Sequence, residues 1–486
     1  MNIVEYTNAK DILAKGSELR HKRFREIGSY ERLNAKGNKG GLGHFIEEVH
    51  FGYQINSSKL ADFNEANIEL KVTPIKRNKN KSYSAKERLV LNIIDFHSEY
   101  QKTFQSSSFW SKNQTLLLVF YLFDEALNRE DYKIEDVFLF DYPDEDLEII
   151  KQDWKYIVNK IKQGEAHTIS EGQTMYLGAC PKGANRQSSM VSQPFSDKLA
   201  MRRAFSLKQS YMTQIVRDYV KGNKKHPNII KTPGEIDKKE KTPISSKPEQ
   251  LIKQTSDLKS KGFEDVIEEK IYPFVGKRLS TLKKQFDIEN GSKSLNMQLL
   301  NKMFGVKGNL RNTSEFKKAN IVPKTIRINK NNHIKESMSF PKFTFKEIIQ
   351  EPWMTSHTRN LFESQRFMFT VFKEIDDDYI FKGIQFWSML VKDIETHVKD
   401  AWETTVDIIS NGSIVASVDK HGKRKTNFPT QKDNPVTHVR PHAQNASDTE
   451  PLPVKDQLTG LQEYTKHCFW LNNHYILKQL DDKFFE

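Results

Sequence analysis

The stretch Asp62-Phe-Asn-Glu-Ala-Asn-Ile-Glu69-Leu-Lys71-Val-Thr-Pro-Ile75 decides how this chain is read. From Asn67 to Thr73 apolar and polar residues alternate. Ile68, Leu70 and Val72 fall on one face, and Glu69, Lys71 and Thr73 on the other, the period of a β-strand. Pro74 is expected to end that strand or to place it at an edge. Residues two apart on a strand share a face, so Glu69 and Lys71 project together. Asp62, arriving from the preceding turn or strand, completes the group. Two carboxylates and a lysine on one spot are what hydrolysis of a phosphodiester needs. Magnesium prefers carboxylate oxygens and keeps several waters, and it activates water and neutralises charge at phosphorus. A neighbouring lysine orients the water or offsets developing charge. The pattern alone has little specificity in a chain with 29% charged residues. Its plain alternative is a solvated strand face, and the surrounding sequence has to decide.

Upstream, a glycine-rich turn at Lys39-Gly40-Gly41 opens a segment of helical character, Gly43 to Phe51. Downstream, Thr115 to Phe123 (TLLLVFYLF) has the composition of a buried strand. Asp144 to Lys162 has helical spacing, with Leu147, Ile150, Trp154, Ile157 and Ile161 on one stripe. Ala200 to Val220 is expected to be a basic, helix-containing segment. Together these predict an α/β fold around a mixed sheet. Two other chemistries are excluded. His44 and His50 flank Glu47 and Glu48 at the wrong spacing for a helical zinc pair. Gly40, Gly41 and Gly43 lack a following Gly-Lys-Ser/Thr, so no phosphate-binding loop for nucleotide hydrolysis is present.

The ordered set Lys39-Gly-Gly-Leu-Gly-His-Phe-Ile-Glu47, Asp62-Phe, Glu69-Leu-Lys71, Pro181-Lys182-Gly-Ala-Asn185 and Phe205-Ser-Leu-Lys208 resembles the MutH family. That family joins the mismatch-repair nicking endonuclease MutH to type II restriction endonucleases that recognise GATC. The resemblance covers about residues 35–215 and, more faintly, 285–480. It implies that Asp62 and Glu69 hold the metal and that Lys71 acts on the water or the scissile phosphate. It also implies that Glu47 assists from its helix, with Glu48 as its rival, and that Lys112, ahead of the apolar strand, is a second catalytic lysine. Lys182 and Asn185 correspond to the family's recognition segment. Cys180 stands where the family has arginine, and Ser206 where it has an aromatic residue. Arg202, Arg203 and Lys208 form a basic cluster suited to phosphate contacts.

The second half repeats the first. Glu315-Phe-Lys-Lys-Ala-Asn-Ile-Val-Pro-Lys324 aligns without a gap on Asp62 to Lys71. Arg440-Pro-His-Ala-Gln-Asn445 parallels Cys180 to Asn185, and Phe469 to Tyr475 parallels Phe205 to Tyr211. Three collinear matches argue for duplication of one domain. In the repeat Glu315 replaces Asp62, Val322 replaces Glu69 and Pro323 replaces Leu70, while Lys324 remains. Glu363 falls opposite Lys112. The helix expected from Leu295 to Phe304 carries no carboxylate. This half is expected to be catalytically dead but, through Arg440, His442 and Asn445, still able to bind DNA. A structural or dimerisation role is the alternative. Two tandem restriction-endonuclease-like, MutH-like domains with mixed central sheets are therefore expected. Their bounds are 1–220 (catalytic) and 260–486 (degenerate, DNA-binding or allosteric). A Lys/Pro-rich linker at 221–259 joins them; it carries prolines at 227, 233, 243 and 248 and no aromatic residue up to Asp257.

Length and charge agree with this organisation. A chain of 486 residues has room for two or three domains, and a net charge of +13 favours a polyanionic partner. Cys180 and Cys468 are too few and too distant for a zinc or disulfide framework. No apolar run reaches the roughly 20 residues of a membrane span, and Met1 to Lys10 does not have the pattern of a signal peptide. A cytoplasmic protein is expected, with no membrane partner. The function implied by the resemblance is that of a type II restriction endonuclease. It would cut double-stranded DNA at GATC, 5′ of the G, with magnesium, and reach the second strand as a transient homodimer or by a second binding event. The alternatives are a mismatch-repair-type nicking endonuclease and a non-catalytic DNA-binding protein.

Overall fold

Asn67 sets the direction of the first strand. It adopts the left-handed conformation (φ 52°) after a short 3-10 turn, Asn64–Ala66, a region asparagine tolerates better than most residues. The chain doubles back, Phe63 and Ile68 exchange backbone hydrogen bonds of 2.9 and 3.2 Å, and β1 (Ile68–Arg77) begins. The second half uses the same device. Its helix Ser314–Ala319 ends at Asn320 (φ 56°), and β11 (Ile321–Ile328) follows. The computed structural model describes residues 6–29, 41–53, 60–183, 187–220, 229–230, 248–288 and 295–486.

In the first half β1 joins β2 (Tyr83–Ala85), β4 (Thr115–Leu122), β5 (Lys133–Asp141) and β10 (Ile229–Ile230). The order is β10-β5-β4-β1-β2. β1 and β4 run parallel and the other pairs antiparallel, so the sheet is mixed as expected. Leu116 to Phe120 on β4 are fully buried, which fits a central strand covered on both faces. The strand β1 continues past Pro74 to Arg77, and β2 pairs only from Ile75 onward. Pro74 therefore lies within the strand, where its missing N–H costs no pairing to β2. A second sheet, β3-β9-β6, combines β3 (Leu89–Ile93), β6 (Leu177–Pro181) and β9 (Arg203–Leu207). Beside it runs the ribbon β7 (Met190–Gln193) and β8 (Ser196–Met201). The segment Ala200 to Val220, expected to contain a helix, holds the end of β8, all of β9 and then the helix Gln209–Tyr219. The long helix Asp144–Lys162 forms as expected. Its buried Asp153 accepts the N–H groups of Met175, Tyr176 and Leu177 (2.7, 2.7 and 2.9 Å), which fixes the start of β6.

The second half repeats both sheets. β11 runs parallel to β13 (Arg366–Ile375), which pairs antiparallel with β14 (Asp378–Trp387). The other sheet is β12-β20-β17, from β12 (Met338–Lys342), β17 (Thr437–Pro441) and β20 (His467–Leu471). Two ribbons complete it, β15 (Val415–Val418) with β16 (Arg424–Thr426) and β18 (Thr449–Pro451) with β19 (Glu463–Thr465). The registers agree with the sequence repeat. Ile68 faces Thr115 as Ile321 faces Arg366, and Ala179 faces Phe205 as Val439 faces Phe469. Lys112 and Glu363 therefore hold equivalent places just ahead of β4 and β13.

The halves are not separate bodies on a tether. One apolar cluster runs from Leu118 and Ile157 through Tyr211 to Leu251, Ile267, Phe316 and Met368. Lys318 bridges to Asp146 at 2.6 Å, and Gln152 bonds to Leu258 and Phe263. Within the segment expected to be a linker, Leu251, Ile252 and Leu258 are buried, and Thr255–Ser260 is helix. The folded body therefore extends into residues 248–259. Residues 221–228 and 231–247 lie outside the described residues. No helix among the described residues is long and apolar enough to cross a membrane.

Candidate active site

The reversal at Asn67 returns Asp62 to the side of Glu69. The N–H of Asp62 donates to Glu69 Oε2 (3.1 Å), and the N–H of Leu70 donates to Asp62 Oδ2 (2.9 Å). Lys71, two residues along β1, places Nζ 2.7 Å from Glu69 Oε1. Lys112, from the helix Ser108–Asn113, places its Nζ 3.5 Å from the same oxygen. Glu69 is 2% exposed, so its charge is taken up by two ammonium groups and not by water. Glu47 reaches the same cleft from the helical segment Gly41–His50, a short α-helix that continues as a π-turn. Glu48 does not line it. The cleft has a volume of about 470 Å³.

The charges in this cleft are crowded. Burial, then the negative charges of Asp62 and Glu69, push the Glu47 carboxyl up to about 7, against the pull of Lys112. Burial and Glu69 push Asp62 up to about 6, opposed by Lys71 and the Leu70 N–H. Carboxylates that resist ionisation together in a half-buried cleft are relieved by a cation placed among them. Among the described residues no three His, Cys, Asp or Glu side chains form a ready-made metal cage. A hard divalent ion that keeps several waters needs only one or two protein carboxylates. Asp62 and Glu69 fit that requirement, with Glu47 in reach of the ion's waters. Lys86 and Arg129 also line the cleft and were not anticipated. They come from segments without a motif, and only the packing of the sheet brings them there.

The residues expected at DNA separate into two groups. Lys182 is partly exposed and its N–H donates to the carbonyl of the exposed Arg202 (2.8 Å), so both stand at one edge of the β3-β9-β6 sheet. Asn185 lies outside the described residues. Arg440 and His442 are exposed, the guanidinium 3.7 Å from the Trp470 ring centroid and the imidazole centroid 5.3 Å from it. Asn445 is exposed and caps the N–H of Ser447. Arg203 and Lys208 require correction. Arg203 is 1% exposed, bonded to the Ala179 carbonyl (2.6 Å) and to Glu363 (2.9 Å) of the second half. Lys208 is buried, donates to the Thr174 carbonyl, and burial pulls its ammonium down to about 8. Both lie on or beside β9, the middle strand of its sheet, and their side chains point into the protein and not toward a phosphate.

A family profile described as "DNA mismatch repair enzyme MutH" matches residues 51–153. The type II restriction enzyme Sau3AI of Staphylococcus aureus is 39% identical over 480 residues, covering 92% of this chain and 93% of that enzyme. This chain belongs to the MutH-related family of type II restriction enzymes. DNA mismatch repair proteins MutH match a smaller share of this chain. That of Shewanella woodyi is 28% identical over 38% of this chain and 78% of its own length. That of Vibrio vulnificus strain YJ016 is 25% identical over 38% and 81%.

The second half keeps the MutH-like frame of strands and has dismantled the cleft. Glu315, at the place of Asp62, is buried and accepts the N–H groups of Leu251 and Ile252 at 2.9 Å. Val322 replaces the carboxylate of Glu69. Pro323 has no N–H to offer where Leu70 holds Asp62. Glu363, at the place of Lys112, is 1% exposed and bound between Arg203 and Arg359 (2.9 and 2.7 Å), while Arg359 also meets Glu395 at 2.7 Å. What lines an open cleft in one half is buried structure in the other.

Proposed function

We propose that this site-specific deoxyribonuclease of the restriction class cleaves double-stranded DNA at GATC, immediately 5′ of the G, using magnesium held by Asp62 and Glu69. The observation that carries the reading is Glu69, buried between the N–H of Asp62 and the ammonium groups of Lys71 and Lys112. Bound there, the ion supplies charge neutralisation at phosphorus and an acidified water. Lys71 orients the attacking water and faces the developing charge on the phosphate. Lys112 holds Glu69 in place and adds positive charge on the same side. Glu47 accepts a hydrogen bond from the water when it is ionised. Lys182 and Arg202, at one edge of the second sheet, contact base edges or phosphates.

The catalytic unit is residues 1–220. The degenerate half binds a second GATC copy through Arg440, His442 and Asn445 and regulates or stabilises the cutting half. One active site per chain then reaches the second strand through a transient homodimer or a second binding event. Plasmid cleavage by wild type and Glu69→Ala with magnesium, followed by end sequencing, tests the central claim. Linear fragments with GATC ends from wild type only are expected. Persistent nicked circles would point to the mismatch-repair type of reaction. No cleavage of either methylated or unmethylated DNA would leave a DNA-binding protein.

A further inference from the structure

The degenerate half contains a cavity of about 680 Å³ that takes in Lys324, Thr325 and Arg327, the counterparts of Lys71, Val72 and Pro74, while the counterparts of Asp62, Glu69 and Lys112 lie outside its lining. Lys324, which aligns with Lys71, lines it, as do Arg327 and Lys335. In the first half Lys71 is neutralised by Glu69. In the second, Val322 has removed that partner, and Glu315 has turned away to the Leu251 and Ile252 amides. Among the described residues no carboxylate pairs with Lys324, and burial together with Arg311 holds its ammonium below the usual lysine range. The anionic residues on the cavity wall are Glu336, which is exposed, and Glu374, which accepts the N–H of Lys330 (3.3 Å). Arg327 is held in place by Asn296 (3.2 Å) and the Tyr379 ring. The catalytic cleft balances four cations (Lys71, Lys86, Lys112, Arg129) against four carboxylates (Glu47, Asp62, Glu69, Glu87). The degenerate cavity sets three cations (Lys324, Arg327, Lys335) against two carboxylates.

Trp470 also lines this cavity, and Arg440 stacks on its ring at 3.7 Å. The cavity is therefore continuous with the exposed residues that the second half offers to DNA.

We propose that this cavity, beside the lost metal site, is a metal-independent phosphate-binding site, in which Lys324, with Lys335 at the rim, holds a backbone phosphodiester of the second DNA copy. This rests on the second-site reading above and gives that site its chemistry. Lys324, the counterpart of Lys71, meets the phosphate directly with no cation between them. Without the carboxylates that would hold a cation, the bound strand is kept and not cut. A desolvated lysine without a counter-ion gains more from a phosphate than an exposed one does.

The test uses the full chain carrying Glu69→Ala, in EDTA, titrated with a short GATC duplex. Binding of a second duplex per chain is expected without metal. Adding Lys324→Gln should weaken that second event about tenfold and reduce its salt slope by about one, as removal of one phosphate contact does. Lys324→Arg should restore it. Lys335→Ala, on an exposed side chain, should act in the same direction by a smaller factor, independent of any folding defect at Lys324. A second duplex bound equally well by all variants, or only when calcium replaces EDTA, would overturn the phosphate site while leaving second-site binding intact. A single duplex per chain, metal or not, would overturn the second-site reading itself and this inference with it.

Discussion

Asp62 shows how one side chain can serve function at the expense of the fold. Its carboxyl is pushed up to about 6 by burial and Glu69. An acid whose folded value exceeds its unfolded one favours the native state when protonated, so its contribution declines as pH rises from about 4 toward 6. Asp62→Asn keeps an oxygen for the Leu70 N–H and removes the charge. It should raise stability at neutral pH by on the order of 1–2 kcal/mol, after allowing for screening, while abolishing cleavage. Thermal unfolding without metal checks the first part and plasmid cleavage the second. On the proposed mechanism cation loading and the water contact require Asp62 and Glu47 ionised, so at limiting magnesium the rate should fall about tenfold per pH unit below about 7 and about a hundredfold per unit below about 6. Raising magnesium should shift that loss to lower pH. A profile indifferent to magnesium would mean that these carboxylates are not the ones the ion needs.

Elements explain why the same strand borders a carboxylate-lined cleft in one half and serves as scaffold in the other. Both β1 and β11 start from a left-handed asparagine, Asn67 and Asn320. Asn67→Val should cost about 1–2 kcal/mol from the left-handed backbone alone and carry cleavage down with it, because Asp62 and Glu69 meet only through that turn. Asn67→Gly should be tolerated on both counts, as urea unfolding and cleavage assays would reveal. Restoring one carboxylate to β11 should not revive chemistry. Val322→Glu still lacks the N–H that Pro323 cannot supply, and Glu315 is bound to Leu251 and Ile252. Cleavage by a Glu69→Ala, Val322→Glu double variant would contradict this account of the second half.

At the scale of the whole molecule the two halves share a core and a buried ionic chain, Arg203–Glu363–Arg359–Glu395. Burial alone would raise Glu363, but Arg359 and Arg203 outweigh it and hold the carboxyl below its ordinary value. Glu363→Ala would leave two buried guanidiniums without their partner and should destabilise the chain by about 3–5 kcal/mol. Denaturant unfolding of the full chain measures it. Removing residues 260–486 would uncover Tyr211 and strip Arg203 of Glu363. The truncated first half is expected to be insoluble or unfolded, so dependence on a second DNA site has to be probed by point variants at Arg440 or Lys324 in the intact chain.

The sequence by itself determined the strand of Ile68 to Thr73, the grouping of Asp62, Glu69 and Lys71, the duplication, and the absence of the Asp62 and Glu69 carboxylate pair from the second copy. Those features are local or periodic: a two-residue alternation, a fixed spacing, an ungapped repeat. Only the tertiary structure decided which lysines and arginines face solvent. Arg203 and Lys208 share a basic run with Arg202, yet β9 is the middle strand of its sheet and is covered on both faces, so Arg203 on it and Lys208 just beyond it are enclosed. Only the tertiary structure brought Lys86 and Arg129 to the cleft and carried the folded body into the Lys/Pro segment. It also gave Glu363, at the place of Lys112, a partner in the other half. Contacts between residues far apart in the chain depend on how sheets and helices stack, and no local pattern of residue types records that stacking.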